Sequence, residues 1–185
     1  MEYWKKETLA FVISVLYLTL VFSFKVGVGI IPERIPTAFL VSLILFGSKI
    51  GLQKLVCRKL NLKGTLKVWN TGVFSGILLM IFGIKFALPS ILEIKPFKFG
   101  RWGFKVSHLT YKEAALISLI GLLIPLLSLF IFKHVFDNFF LATLSAWFYF
   151  SNILPIPKSD GANILSWSFA LWGALVVVGI LLIIL

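Results

Sequence analysis

The sequence predicts an all-α, polytopic membrane protein, and three observations carry that expectation. Of its 185 residues, 59% are hydrophobic and 14% charged, whereas a soluble domain carries about a quarter charged residues; mean hydropathy is +1.02. Apolar runs of about 18 residues or more recur, each sufficient to cross a hydrocarbon core about 30 Å thick. Between them lie stretches rich in Pro, Gly, Lys and Arg, where a helix stops or reaches water. The expectation is a single integral membrane domain over residues 1–185.

The elements follow in order. A first helix is expected over residues 8–31, ended by "IPERIP", whose prolines cannot continue a helix interior. The preceding "MEYWKKETLAFVISVLYLTLVFSF" outruns the about 7–15 apolar residues of a signal peptide and lacks a small-residue cleavage site, so it reads as a retained helix. A second helix is expected over 36–57, passing into the basic stretch "CRKLNLKGTLKVW". Residues 70–92 are apolar but interrupted by Gly72, Gly76, Gly83, Lys85 and Pro89. Further runs cover 114–133, 139–157 and 162–185. The expected total is five to six transmembrane helices, depending on whether 70–92 crosses.

Charge decides between the two. If every run crosses, the basic residues divide almost evenly between the two sides. If 70–92 enters and returns, Lys5, Lys6, Lys54, Arg58, Lys59, Lys63, Lys67, Lys95, Lys98, Arg101, Lys105, Lys112 and Lys158 share one side, opposed by Arg34 and Lys133. That asymmetry is what the positive-inside tendency produces. It favours a re-entrant 70–92 and a multi-pass protein of the cell membrane with a cytoplasmic N-terminus. Re-entrant backbone must pack in protein or line water, and the glycines permit close packing.

The formal charge of +11 therefore implies anionic lipid as the partner rather than nucleic acid. "KPFKFGRWGFK" (95–105) alternates basic and aromatic residues around two glycines and is expected to form a short surface hairpin with its rings at headgroup level. Cys57 is the only cysteine, which excludes an intramolecular disulfide and a multi-cysteine metal site. His108 and His134 have no metal-site spacing. Lys25 reads as snorkelling from the end of the first helix, and Lys85 as bonded to a backbone carbonyl. Ser151 and Asn152 read as helix-to-helix hydrogen bonds.

A carboxylate at membrane depth costs about 2.5–3.5 kcal/mol on insertion scales, which makes Asp160 in "FSNILPIPKSDGANILSW" (150–167) the residue to explain. That segment resembles the second signature of the site-2 proteases, the intramembrane zinc metalloproteases (peptidase M50). Asn152, Pro155, Pro157, Asp160 and Gly161 match an Asn-Leu-Leu-Pro-x-Pro run leading into Leu-Asp-Gly, while Lys158 and Ser159 depart from it. "KIGLQKLVCRKLNLKGTLKVW" (49–69) is similar to the archaeal pattern in which a His-Glu-x-x-His helix runs into a strand ending in Trp. "ALPSI" (87–91) and "KEAALISLIGLLIPL" (112–126) resemble further segments of the same relatives. The likeness covers residues 36–170.

The resemblance implies that Asp160 stands where the family's third zinc ligand stands. Lys49 and Gln53 then occupy the two histidine positions, and Ile50 that of the catalytic glutamate. Lys49, Ile50, Gln53 and Asp160 form a degenerate site, with Asn152, Pro155, Pro157 and Gly161 as its scaffold; no catalytic residue, zinc or other cofactor is expected. Lys49 is expected to pair with Asp160 in place of the metal, or else to snorkel while Asp160 caps the last helix. The functional expectation is an inactive site-2-protease-like protein, a pseudoenzyme that binds transmembrane helices of other proteins. A small transporter or permease component using Lys25, Lys85 and Asp160 is the alternative, and a metalloprotease with an atypical site the third.

Overall fold

The computed structural model describes residues 2–96 and 109–184. Helix α1 (Glu2–Ser23) ends in a small antiparallel ribbon, β1 (Phe24–Lys25) with β2 (Gly29–Ile30). A single turn at Pro32–Arg34 leads into α2 (Ile35–Lys59). Strand β3 (Leu62–Val68), helix α3 (Asn70–Ile81) and strand β4 (Ser90–Pro96) follow. Then come α4 (Tyr111–Phe130), a wide turn at Ile131–Val135, α5 (Phe139–Ile153), α6 (Asp160–Trp167) and α7 (Phe169–Ile184). The protein is mostly helical, but the expectation of an all-α chain is too strict, because β3 and β4 pair over seven residues.

Among the described residues, three helices are long and apolar enough to cross a bilayer: Lys5–Ser23, Pro32–Lys59 and Tyr111–Val135. Helices α5 and α7 are apolar but shorter; the 15 residues of α5 rise about 22 Å. The expected five to six spans stand at three by length and composition.

The boundaries have local causes. Helix α1 stops before residue 31 because Gly27 and Gly29 take positive φ (79° and 86°) and turn the chain into the ribbon. Helix α2 ends where Asn61 enters the left-handed region at φ 54°, and the chain reverses into β3. Thr110 and Glu113 open α4 with a capping box. The expected single run 162–185 is two helices, because Ser168 is extended (φ −154°, ψ 112°). Its hydroxyl then accepts from the amide of Leu171 at 3.3 Å and starts α7.

Residues 70–92 are not one helix. Val68 pairs with Ser90, and the Trp69 amide donates to the Pro89 carbonyl at 2.9 Å. The two ends of the segment therefore lie side by side. Helix α3 carries it inward by about 18 Å, Gly83 turns it at φ 84°, and extended backbone brings it back. Close packing holds it in place: a Cβ on Gly76 would lie 1.7 Å from the Tyr17 hydroxyl and one on Gly72 2.2 Å from the Trp69 ring. Tyr17 in turn donates to the Phe86 carbonyl at 2.8 Å.

Glu7 of α1 pairs with Lys54 of α2 at 3.1 Å, so the start of α1 and the end of α2 lie at one end of the molecule, with β3 and β4. Buried Leu18, Val21, Phe22, Leu45, Phe46, Leu144 and Phe148 join α1, α2 and α5 in the main core. The surface hairpin expected at 95–105 lies outside the described residues except for Lys95 and Pro96, which end β4.

Candidate functional site

The site forms at the basic end, where α2, α4, α5 and the start of α6 converge. Lys49 and Gln53 are four residues apart on α2, which puts both on one helix face. Both are buried, at 5% and 1% exposure. That face meets α4 closely because residue 121 is glycine: a Cβ there would lie 2.2 Å from Gln53 Nε2. From the other side comes α5, whose last turn carries Asn152, fully buried.

The chain then turns through Leu154–Ser159. The amide of Ile156 donates to the Leu154 carbonyl at 2.8 Å, and that of Ser159 to the Ile156 carbonyl at 2.9 Å. Lys158 sits at φ 74°, a conformation that costs a side-chain-bearing residue about 1–2 kcal/mol. Pro155 and Pro157 are exposed in this turn. The Ser159 hydroxyl accepts from the Ala162 amide at 3.1 Å and donates to the Leu154 carbonyl at 2.6 Å. Ser159 is therefore the N-cap of α6, and the capping role considered for Asp160 is corrected. A Cβ on Gly161 would lie 1.9 Å from the Ile153 carbonyl oxygen. Only glycine lets the first turn of α6 rest against the end of α5.

Relieved of capping, the Asp160 carboxylate points at α2. Lys49 Nζ lies 2.7 Å from Asp160 Oδ2, the pairing the sequence led us to expect. Gln53 Nε2 donates to Asp160 Oδ1 at 3.0 Å. Lys49 also donates to Asn152 Oδ1 and lies 5.5 Å from the centre of the Phe148 ring. Asn152 Nδ2 donates to the Phe148 carbonyl at 2.7 Å, which orients its oxygen toward the ammonium. Oδ2 accepts no well-directed hydrogen bond, so its contact with Lys49 is one of charge, while the directed bonds of the cluster go to Asn152 and to Oδ1. Around this centre Asn163 Nδ2 donates to Ser118 Oγ at 2.9 Å, tying α6 to α4.

The other singled-out residues lie elsewhere. Ile50 faces the main core. Lys85 Nζ donates to the Phe22 carbonyl at 3.1 Å, at the far end of α1, where the last carbonyls of a helix have no partner within it. Ser151 accepts from the Ala87 amide at 2.8 Å and donates to the Trp147 carbonyl at 2.7 Å, holding the returning arm of residues 70–92 to α5. Lys25 is exposed in the ribbon. His134 is exposed beyond α4, 13 residues and about 20 Å along the axis from Gly121; His108 lies outside the described residues. The sequence reading missed the Phe148 ring and the Ser159 cap. A serine followed three residues later by a small residue that opens an apolar helix was the signal for the cap.

The cluster's donors do not fit a zinc ion. Zinc in a hydrolytic site takes three nitrogen, sulfur or carboxylate ligands and keeps a fourth position for water. Here one carboxylate faces an ammonium and a carboxamide. Among the described residues no three His, Cys, Asp or Glu come together.

Comparison with known proteins places these observations beside one relative. The chain is 28% identical, over an alignment 184 residues long that covers 91% of this chain and 87% of the other, to a protein of Methanocaldococcus jannaschii named "Putative zinc metalloprotease". No family model matches, and no solved structure matches. The chain is thus a distant homologue, over most of its length, of a protein named for zinc proteolysis, while the residues gathered at Asp160 are not a zinc donor set.

Proposed function

We propose that this chain is a site-2-protease-like membrane protein that has lost its zinc centre and binds transmembrane helices of partner proteins without cutting them. The observation that carries the reading is the pair of contacts to Asp160. Lys49 and Gln53, at the two positions where the resemblance puts histidines, both touch the carboxylate where the resemblance puts the third ligand. Ile50, at the position of the general base, is apolar and cannot move a proton. An ammonium held against the carboxylate supplies the positive charge that a metal would otherwise bring.

The alternative, a small transporter component, asks Lys25, Lys85 and Asp160 to share a path. Lys25 is instead exposed in the ribbon, and the Lys85 ammonium is bonded to the Phe22 carbonyl at the end of α1 while Asp160 is engaged by Lys49 and Gln53, which argues against it. Two measurements on the purified chain test the proposal. Metal analysis is expected to find zinc well below one equivalent, and incubation with single-span membrane peptides is expected to give crosslinked complexes and no cleavage. Stoichiometric zinc that disappears in Asp160→Ala, or cleavage that a chelator stops, would overturn it.

A further inference from the structure

Helices α2 and α5 run in the same direction with one face toward each other. Arg34, just before α2, lies 5.0 Å from the centre of the Phe140 ring at the start of α5. Further along, Lys49 of α2 donates to Asn152 in the last turn of α5. Between these contacts Leu45, Phe46, Leu144 and Phe148 belong to one apolar core. Two serines are buried with them. Ser42 and Ser145 are both 0% exposed, and they stand seven residues before Lys49 and Asn152 respectively. Seven residues return a helix to within about 20° of the same face and move about 10 Å along its axis. The two serines therefore lie at one level, on the faces that meet at Lys49 and Asn152.

Their hydroxyls differ from others buried in the bundle. Those of Ser14, Thr19 and Ser23 on α1 and of Ser151 on α5 each donate to the carbonyl four residues back, at 2.6–2.8 Å. Ser42 Oγ and Ser145 Oγ have no hydrogen-bond partner in the protein and do not bond each other. A buried hydroxyl without a partner costs free energy, and hydrocarbon supplies none. Each hydroxyl donates one bond and accepts others, so a molecule shared by the two must be able to do both. Helix carbonyls of the preceding turns offer it a further acceptor through their second lone pair. Neither serine brings a charge, which suits a neutral molecule rather than an ion. We infer that one water molecule is bound between Ser42 and Ser145 and bridges α2 to α5 inside the membrane, two turns from the Lys49–Asn152 contact. Buried waters typically make about three such bonds to groups left otherwise unsatisfied. The bridge does not depend on whether the chain binds partner helices.

The test uses the full chain in lipid nanodiscs. X-ray radiolysis in isotopically labelled water marks side chains that lie beside bound internal water. After correction for intrinsic reactivity, labelling of Phe46 and Phe148 is expected several-fold above that of Leu122 and Ile164, which are equally buried. In Ser42→Ala with Ser145→Ala it should fall to the level of those controls. Melting supplies an independent readout, with Ser48→Ala, whose hydroxyl bonds within α2, as the helix-propensity baseline. Relative to that baseline, Ser42→Ala and Ser145→Ala should each lower the midpoint, because each leaves the water and the other hydroxyl one partner short. The double variant should melt no lower than the lower single one, since the water departs with both hydroxyls. Hydroxyls turned back onto their own helices would give losses that add, and hydroxyls with no partner would give single variants that melt above the baseline. Either result overturns the inference, as does labelling of Phe46 and Phe148 that matches the controls or persists in the double variant.

Discussion

Lys49 and Lys85 each carry an ammonium into an apolar segment, and the fold receives them differently. Lys49 meets a carboxylate from a helix more than a hundred residues away, with Asn152 and a ring completing its surroundings. Lys85 meets a backbone carbonyl at the end of α1. In the first case two opposite charges leave water together, so removing either strands the other. In the second, one charge meets a helix end that attracts cations and would otherwise keep an orphan acceptor. Lys133 repeats the second solution, donating to the Leu182 carbonyl at 3.0 Å and the Ile183 carbonyl at 2.6 Å near the end of α7. What separates them is whether the charge has a charged partner to lose.

The largest expected effect breaks the first arrangement. Asp160→Ala leaves the Lys49 ammonium buried without a counter-charge and should destabilise the protein by about 3–5 kcal/mol, read as unfolding in detergent. Lys49→Met combined with Asp160→Leu removes both charges and should cost far less than either single change. An additive double variant would mean that the two residues do not act as a pair. Gly161→Ala comes next: its Cβ would meet the Ile153 carbonyl oxygen at 1.9 Å, and forcing α6 away should cost about 1–3 kcal/mol. That change should also weaken the coupling measured between Lys49 and Asp160.

Lys85→Met tests the second arrangement, with an expected loss of about 1 kcal/mol, since one hydrogen bond goes and no charge is stranded. A loss as large as that of Asp160→Ala would erase the distinction between the two lysines. The smallest effect is at the sheet surface, where the hydrogen bond from Lys67, together with the charges of Lys67 and Lys95, holds the Glu93 carboxyl below its usual range. A depressed folded value means that the stabilisation is fully present above the unfolded value and lost as pH falls through the folded one. Glu93 is about one-third exposed and so partly screened by solvent, and the acid limb of a stability profile should shift only slightly in Glu93→Gln.

Much of this was legible along the chain. The end of α2 was readable from its basic residues, whereas the strand behind it and the meeting of Lys49 with Asp160 were expected only from the resemblance in those segments. The division of basic residues favoured a segment 70–92 that folds back on itself, and the pairing of β3 with β4 brings its two ends together. Strand β4 was not: "SILEIKP" is too short and too apolar to separate from the run before it until β3 lies alongside. The break at Ser168 was equally hidden, since one serine inside an apolar run is compatible with an unbroken helix.

The sequence by itself determined a membrane protein, its apolar runs, its basic end and which charges had to find partners, because the cost of burying charge depends on residue type. Tertiary structure alone decided which partner each charge received. Asp160 is turned toward α2 because Ser159 caps α6 and Gly161 admits α6 to the end of α5. Lys85 reaches the Phe22 carbonyl because α3 and Gly83 carry it to the end of α1. Those outcomes depend on distances between segments remote in sequence, which close packing settles and composition does not.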